Sequence, residues 1–222
     1  MNVHAEGSIM LKAVIFDYNG VLVDDLAYHR DAYLRVAEDL GYAISSQDVW
    51  DLISATPDAK RVLFGNLSDE RWNEIRSLKD KYYFEMVKTG NIIIPEAEDV
   101  LISLSKTHVL ALVSNTARSY FNRLFPKHLA ACFHITRFAG EVNPPKPAPE
   151  PLLKTMEYLS VGPKECCYVG DALSDVQMAK RAGVKIFCVA TGHHSAEELK
   201  TAGADWIGDN LWEFHDEIRR SL

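Results

Sequence analysis

The sequence predicts an α/β protein, a doubly wound parallel sheet that carries an inserted all-helical cap domain. Two observations favour this fold class. From about residue 97 onward, helical segments alternate with short apolar ones, which is the pattern of a parallel sheet covered by helices on both faces. Before that point, one apolar segment near residue 14 is followed almost only by helical patterning. We therefore interpret the helical block as an insertion after the first strand.

The first strand is predicted at Val14–Phe16, where the uninterrupted apolar run is typical of a strand buried on both faces. The other strands are predicted at Val109–Val113, Cys132–Phe138, Cys166–Val169, Lys185–Val189 and Asp205–Ile207. The core helices are predicted at Ala97–Ser105, Arg118–Phe125, Glu150–Leu159, Asp175–Ala182, Ala196–Ala202 and Leu211–Arg219.

Within the insertion, apolar residues recur at helical spacing from Leu26 to Leu40, and Gly41 ends the run. Further helices are predicted at Ser46–Ile53, Pro57–Leu63 and Asp69–Thr89, and a strand signal returns at Asn91–Pro95. We therefore expect residues 24–91 to form the cap domain, and residues 1–23 and 92–222 to form the core domain.

Length and composition narrow the classes of function. The net charge of -7 over 222 residues argues against non-specific nucleic-acid binding, which needs a basic surface. No apolar run approaches the roughly 20 residues of a membrane span, and residues 1–8 lack the features of a secretory signal and are predicted to be a flexible tail. The four cysteines show no CxxC spacing, so we expect reduced thiols in a cytoplasmic protein. The sequence is equally compatible with a monomer and with a small homo-oligomer.

Polar residues follow several of the predicted strands. Asp17 comes directly after the first strand, in the sequence Asp17-Tyr18-Asn19-Gly20-Val21-Leu22. Because ligands bind at the carboxyl ends of parallel strands, a carboxylate there can serve as a nucleophile, a metal ligand or both. Asp171 and Asp175 follow the fourth strand four residues apart, where carboxylates either cap a helix or hold a metal ion.

Two further segments carry candidate residues. Ser114 and Asn115 close the second strand, where such side chains often cap a helix. Lys146 lies between prolines in the sequence Pro145-Lys146-Pro147. A lone loop lysine is usually solvated, but the rigid flanking prolines favour a lysine whose direction is fixed.

These segments together resemble the four motifs of the haloacid dehalogenase superfamily, in the family's order and over nearly the whole core. The branches most similar are the phosphoglycolate phosphatases and the phosphomutases. The resemblance implies a phosphatase of a small phosphorylated metabolite with Mg²⁺ as cofactor, in which Asp17 forms an aspartyl-phosphate. It also implies that Ser114, Asn115, Lys146 and Gly20 bind the phosphoryl group, and that Asp17, Asp171, Asp175 and the backbone carbonyl of Asn19 hold the metal.

Asn19 departs from the family pattern, which has an aspartate that acts as general acid and base at this position. Asparagine can orient a group by hydrogen bonding but cannot exchange a proton, and general acid–base help is worth about 100- to 10,000-fold in rate. Four interpretations stay open: a slow phosphatase assisted by another group, a regulatory binding protein, a phosphonate hydrolase or phosphomutase relative, and a substitution that traps the phosphoenzyme. A deamidating Asn19-Gly20 pair is a further hypothesis.

Several insertion residues are candidates for contacts with substrate. His29 can move protons near neutral pH, since its ordinary pKa is about 6.5, or it can simply pack at the hinge. Lys60 and Arg61 can meet an anionic substrate or remain solvated. A phosphonate hydrolase would need a lysine from the cap that forms an imine, and Lys60, Lys79, Lys81 and Lys88 are the candidates, each otherwise a solvated helix charge.

Overall fold

The computed structural model describes residues 10–56, 58–88 and 90–220. Six parallel strands form one sheet in the spatial order β3-β2-β1-β4-β5-β6. Their bounds are β1 (Ala13–Phe16), β2 (Val109–Val113), β3 (Phe133–Arg137), β4 (Cys166–Gly170), β5 (Lys185–Val189) and β6 (Trp206–Gly208). The chain order reverses beside β1, and ligands bind outside the strand ends at such a switch point.

Strand β1 lies at the centre of the sheet, between β2 and β4. Its four residues are completely buried. Val14 and Phe16 pack into a hydrophobic cluster on one face, whereas Ala13 and Ile15 pack into a second cluster on the other. This alternation explains why the strand is apolar at every position, because both of its faces are covered by helices.

The helices that cover the sheet follow the alternation predicted from sequence. They are α4 (Ala97–Leu104), α5 (Arg118–Leu124), α6 (Lys127–Ala130), α7 (Glu150–Leu159), α8 (Leu173–Ala182), α9 (Ala196–Ala202) and α10 (Leu211–Arg220). The doubly wound α/β fold class is therefore confirmed. No helix in the described part of the chain is long and apolar enough to cross a membrane.

The insertion between β1 and β2 is helical. It contains α1 (Leu26–Leu40), α2 (Ser46–Asp51), a short 3-10 helix (Ala59–Phe64) and α3 (Asp69–Val87), and α1 packs along α3. Pro57 and Thr89, which bounded two of the predicted helices, lie outside the described residues, as does the predicted tail at residues 1–8.

The insertion leaves and rejoins the core through two adjacent segments. The Asp24 amide donates to the Ile92 carbonyl at 2.7 Å, and the Ile94 amide donates to the Leu22 carbonyl at 3.0 Å. These bonds tie the two connections together close to the predicted boundaries at residues 23 and 92. That residues 24–91 act as a separate cap domain stays a prediction.

The structure differs from the sequence prediction mainly at element ends. The Asn91–Pro95 segment forms only an isolated bridge, between Ile93 and Val23, because it pairs with the outgoing connection rather than with the sheet. Helix α8 begins at Leu173 rather than Asp175, because the Asp175 carboxylate accepts from the Ala172 amide and thereby caps the first turn. The four-residue helix α6 was not predicted, since one turn carries no periodic signal.

Candidate active site

The sheet brings the predicted strand-end residues to one rim. Asp17 follows β1, Ser114 follows β2 and Asp171 follows β4, and these three strands are direct neighbours. The Asp17 amide continues the β1–β4 ladder by donating to the Val169 carbonyl at 2.8 Å. All three side chains line one cleft, and all three residues are buried.

Lys146 links two of the carboxylates. Its Nζ lies 2.8 Å from Asp17 Oδ1 and 2.7 Å from Asp175 Oδ1, with the Tyr168 hydroxyl at 3.3 Å. Only 4% of the lysine is exposed. The prolines on either side therefore belong to a loop whose lysine points inward, and the solvated alternative is wrong. Lys146 acts here as a buried point charge between carboxylates.

Burial and mutual repulsion set the charge balance of this rim. Burial raises the pKa of Asp17 to about 6, although the Lys146 ammonium opposes the shift. Burial, together with the carboxylates of Asp175 and Asp17, raises the pKa of Asp171 well above its usual range. Burial disfavours the Lys146 ammonium, yet the two carboxylates beside it raise its pKa above the ordinary value. Three carboxylates thus share one ammonium, and a further cation would relieve the excess negative charge.

The same residues fit a divalent metal ion. One oxygen from each of Asp17, Asp171 and Asp175 lies within 4.8 Å of the others. The backbone carbonyl of Asn19 receives no hydrogen bond from any described donor, so it remains available as a fourth oxygen. Hard oxygen donors with excess negative charge are the set that Mg²⁺ prefers. The Mg²⁺ prediction is thus supported by the donor set, while the identity of the ion stays a prediction.

Glycines make room for Asp171. A Cβ on Gly20, whose φ is +75°, would lie 2.4 Å from Asp171 Oδ2, and a Cβ on Gly192 would lie 1.7 Å from the same atom. Asp171 Oδ2 accepts a hydrogen bond from the His193 amide at 3.2 Å. Gly20 was predicted to bind the phosphoryl group, but the structure places it behind Asp171 rather than on the wall of the cleft.

The predicted phosphoryl-binding side chains on the other flank also line the cleft. Ser114 Oγ accepts a hydrogen bond from the Thr116 amide at 3.2 Å and keeps its own hydrogen for another acceptor. Asn115 donates to the Lys146 carbonyl at 3.1 Å, which ties the two predicted motifs together. The positions of Ser114, Asn115 and Lys146 are compatible with their predicted roles, which stay predictions.

Asn19 lies in the cleft between two partners that the sequence did not single out. Its Nδ2 donates to Asp25 Oδ1 at 2.7 Å, and its Oδ1 accepts from the Thr116 hydroxyl. Asp25 is completely buried, and its carboxylate also accepts from the Tyr83 hydroxyl at 2.5 Å. Burial alone would raise the pKa of Asp25, but hydrogen bonds and the nearby His29 lower it overall. A carboxylate thus lies directly behind the asparagine.

His29 lines the cleft but is a poor acid at neutral pH. Burial and the nearby Lys79 ammonium together lower its pKa to about 4, and the Asp25 carboxylate only partly opposes the shift. The imidazole stacks on the Tyr83 ring at 4.3 Å between centroids. Its Nδ1 lies 2.5 Å from Lys79 Nζ, and its Nε2 lies 3.2 Å from Asp25 Oδ2. These contacts support the packing interpretation of His29 over the proton-moving one.

Lys79 was expected to be a solvated helix charge, and that expectation is wrong. The residue is 4% exposed, lines the cleft, and donates to the Tyr120 hydroxyl at 2.9 Å. Burial lowers its pKa to about 8. A signal was present in the sequence, because Lys79 falls on the helical stripe formed by Trp72, Ile75 and Tyr83, the buried face of α3.

Lys60 and Arg61 are neighbours in the 3-10 helix with different surroundings. Lys60 is buried and lines the cleft, and burial lowers its pKa to about 7. Arg61 was predicted to bind substrate, but the structure does not bring it to the cleft wall. Its guanidinium bonds to Asp69 at 2.7 Å and to the Leu67 carbonyl. The cations that do line the cleft from the insertion are Lys60, Arg76 and Lys79.

Known proteins are similar to this chain over most of its length. Residues 14–189 match the family model described as haloacid dehalogenase-like hydrolase. A phosphoglycolate phosphatase of Vibrio parahaemolyticus is 27% identical over 222 residues, covering 94% of this chain and 96% of the relative.

Solved structures are similar along almost the whole chain. A β-phosphoglucomutase of Clostridium difficile is 26% identical with a TM-score of 0.78, covering 95% of this chain and 98% of its own. CbbY of Rhodobacter sphaeroides, solved with phosphate, has a TM-score of 0.78 at 22% identity and covers 92% of this chain and 96% of its own, which supports the fold alone. With 176 of its 222 residues inside the family match, the chain belongs to the haloacid dehalogenase-like hydrolases.

Proposed function

We propose that the protein is a Mg²⁺-dependent phosphatase of a small phosphorylated metabolite, with Asp17 as the nucleophile. The observation that carries this proposal is the buried ion pair of Asp17 and Lys146 at the floor of the cleft, next to two further carboxylates. A nucleophilic carboxylate must remain ionised in a buried place, and the ammonium at 2.8 Å favours that form. The names of relatives such as the Vibrio phosphatase point to the same reaction class.

In this proposal, each residue has a defined role. Asp17 attacks phosphorus and holds the phosphoryl group as an aspartyl-phosphate. Ser114 and Lys146 donate hydrogen bonds to the phosphoryl oxygens. Asp17, Asp171, Asp175 and the Asn19 carbonyl would hold Mg²⁺, which supplies positive charge against the phosphoryl group when bound.

The insertion contributes cations opposite this floor. Lys60, Arg76 and Lys79 line the cleft from that side, so we propose a substrate that carries a second anionic group, such as a carboxylate. The net charge of -7 for the whole chain does not prevent this, because local cations decide the potential inside a cleft. A cytoplasmic location stays a prediction, in keeping with four cysteines that form no disulfide in the structure.

The test is phosphate release from a panel of small phosphate esters and acyl phosphates with Mg²⁺, run with and without EDTA. We expect release that EDTA abolishes and that the Asp17→Asn variant lacks. Binding of phosphate and Mg²⁺ with no release from any compound would contradict the phosphatase and favour the regulatory alternative.

One observation favours a second candidate, a phosphonate hydrolase. Lys79 offers a buried amine on the cleft wall, and its pKa of about 8 leaves part of it neutral near pH 7. Such an amine can attack a substrate carbonyl and expel water to form an imine. Borohydride reduction with a carbonyl-bearing phosphonate, followed by peptide mass mapping, would show a covalent adduct on Lys79 for this candidate and none for the phosphatase.

A further inference from the structure

The side chain of Asn19 is held in one amide orientation. Asp25 Oδ1 accepts from Asn19 Nδ2 at 2.7 Å, whereas Asp25 Oδ2 accepts from the Tyr83 hydroxyl at 2.5 Å and lies 3.2 Å from His29 Nε2. An ionised carboxylate acts as a hydrogen-bond acceptor only. The amide nitrogen of Asn19 must therefore face Asp25, and its oxygen faces the Thr116 hydroxyl.

This orientation decides what Asn19 can offer a bound group. Its Oδ1 is already occupied by the Thr116 hydroxyl, and one N–H is used by Asp25. The second N–H has no partner among the residues that the structure describes, and the side chain lines the cleft beside Asp17. Asn19 therefore presents a hydrogen-bond donor to a bound group, and it has no transferable proton.

From this geometry we propose that the site takes phosphoryl donors whose leaving oxygen departs as a weakly basic anion, with acyl phosphates as the chemical class. The inference rests on the proposed function, since it assumes that Asp17 is phosphorylated. A fixed N–H stabilises negative charge that develops on a departing oxygen. It cannot neutralise a strongly basic alkoxide, which needs a proton.

The bond changes in the first step are simple. One carboxylate oxygen of Asp17 forms a bond to phosphorus, and the bond from phosphorus to the leaving oxygen breaks. The electron pair of that bond stays on the leaving oxygen. For an acyl phosphate the product is a carboxylate, which is stable without protonation. For an alkyl phosphate the product is an alkoxide, and Asn19 has no proton to give that would convert the alkoxide to an alcohol.

Asp25 is a positioning residue in this scheme. It lies behind Asn19, is completely buried, and acts on the reaction only through the amide that it orients. The pair can be exchanged by the double variant Asn19→Asp with Asp25→Asn. An amide at position 25 would donate to the new carboxylate, and its oxygen would still accept from the Tyr83 hydroxyl. The exchange moves a proton-carrying group into the cleft while keeping one amide and one carboxylate in the pair.

The experiment measures the first turnover with two donors of similar size, acetyl phosphate and 2-phosphoglycolate, at saturating concentration with Mg²⁺. The readout is the rate at which radiolabelled phosphoryl group appears on Asp17. We expect the unchanged protein to prefer acetyl phosphate, and the exchanged pair to reduce that preference by about 100-fold, because general acid help acts mainly on the basic leaving group. The surface variant Asn73→Asp is the matched control and should leave the preference unchanged.

The outcomes separate this inference from the proposed function. An equal preference in the unchanged protein and the exchanged pair, with Asp17 phosphorylated in both, would overturn the inference alone. Labelling of Asp17 by neither donor would overturn both it and the proposed function. Should the double variant fail to fold, the single Asn19→Asp variant is judged by the same 100-fold criterion, because its new carboxyl shares a proton with Asp25 and so carries an acid.

Discussion

The two walls of the cleft carry ionisable groups of opposite sign, and burial disfavours the charged form of the groups on both walls. On the core side lie the rim carboxylates, Asp17, Asp171 and Asp175, and burial raises the pKa of Asp17 and of Asp171. On the insertion side lie what we call the insertion bases, His29, Lys60 and Lys79, and burial lowers the pKa of all three. On each wall, burial thus shifts these groups toward their neutral forms.

The difference indicates what the cleft accepts. A bound cation would favour the charged form of the rim carboxylates, and a bound anion would favour the charged form of the insertion bases beyond what Asp25 and Asp80 already do. A divalent metal ion together with an anionic phosphate ester would supply both charges at once. Lys146, which belongs to the core itself, already neutralises part of the charge of the rim carboxylates. We expect ligand and metal to bind more tightly together than separately, and the following experiments test the two walls in turn.

The largest effect is expected on the core wall from Asp17→Asn. An amide cannot form the aspartyl-phosphate, so phosphate release should fall by about 10,000-fold or more, as it does when a nucleophile is removed from other enzymes. Steady-state phosphate release with Mg²⁺ measures this. The exposed α4 variant Asp99→Asn is the matched control. Substantial activity in Asp17→Asn would mean that another group is the nucleophile.

A smaller effect on the same wall is expected from Gly192→Ala. The added Cβ would lie 1.7 Å from Asp171 Oδ2, so the carboxylate must move away from the other two. We expect Mg²⁺ affinity to fall by about 10- to 100-fold, the cost typical of disturbing a residue that supports a metal ligand. Titration calorimetry without substrate measures this directly. Gly162→Ala, whose Cβ would meet only Glu165 at 3.5 Å, should bind Mg²⁺ normally.

The insertion wall is tested by the pH dependence of stability. The pKa of Lys79 is about 8 in the folded protein and about 10.4 in an unfolded chain. Between these values the unfolded state binds more protons, so the free energy of unfolding should rise with pH. From pH 7 to 9.5 this residue should add roughly 2 kcal/mol, and Lys79→Met should remove that rise.

Urea unfolding at several pH values, in EDTA, measures the slope. Lys81→Met is the control, because Lys81 is on the same helix but exposed. An unchanged slope in Lys79→Met would show that Lys79 is fully charged in the folded protein. The rim carboxylates act in the opposite direction at lower pH, since the raised pKa of Asp17 makes the folded state bind more protons between about pH 4 and 6.

The smallest effects are expected from two adjacent residues of the 3-10 helix. Lys60→Met should raise KM for an anionic substrate by about tenfold, because Lys60 lines the cleft and a tenfold change is the scale of one modest charge contact. Arg61→Met should leave KM unchanged, because its guanidinium is engaged by Asp69 and Leu67. Steady-state kinetics on both variants compares them. The reverse ranking would mean that the helix rotates when substrate binds.

The sequence by itself determined the core wall. Asp17 and Asp171 come directly after apolar runs, and the carboxyl ends of neighbouring parallel strands must meet at one edge of a sheet. The direction of Lys146 was also predictable, because two prolines restrict the backbone beside it. The local sequence was enough to predict these positions, because each residue is positioned by the strand or loop next to it in the chain.

Only the tertiary structure decided the insertion wall. Lys79 reaches the cleft because α3 turns its apolar stripe inward, and its contact with Tyr120 joins residues 41 positions apart. The orientation of Asn19 was likewise visible only in the structure, because the sequence shows the amide but not that the buried Asp25 lies beside it and orients it. From sequence alone, charged side chains on helices are predicted to be solvated. Only the packing of distant segments shows which of them are buried, and burial rather than residue type sets their pKa and their partners.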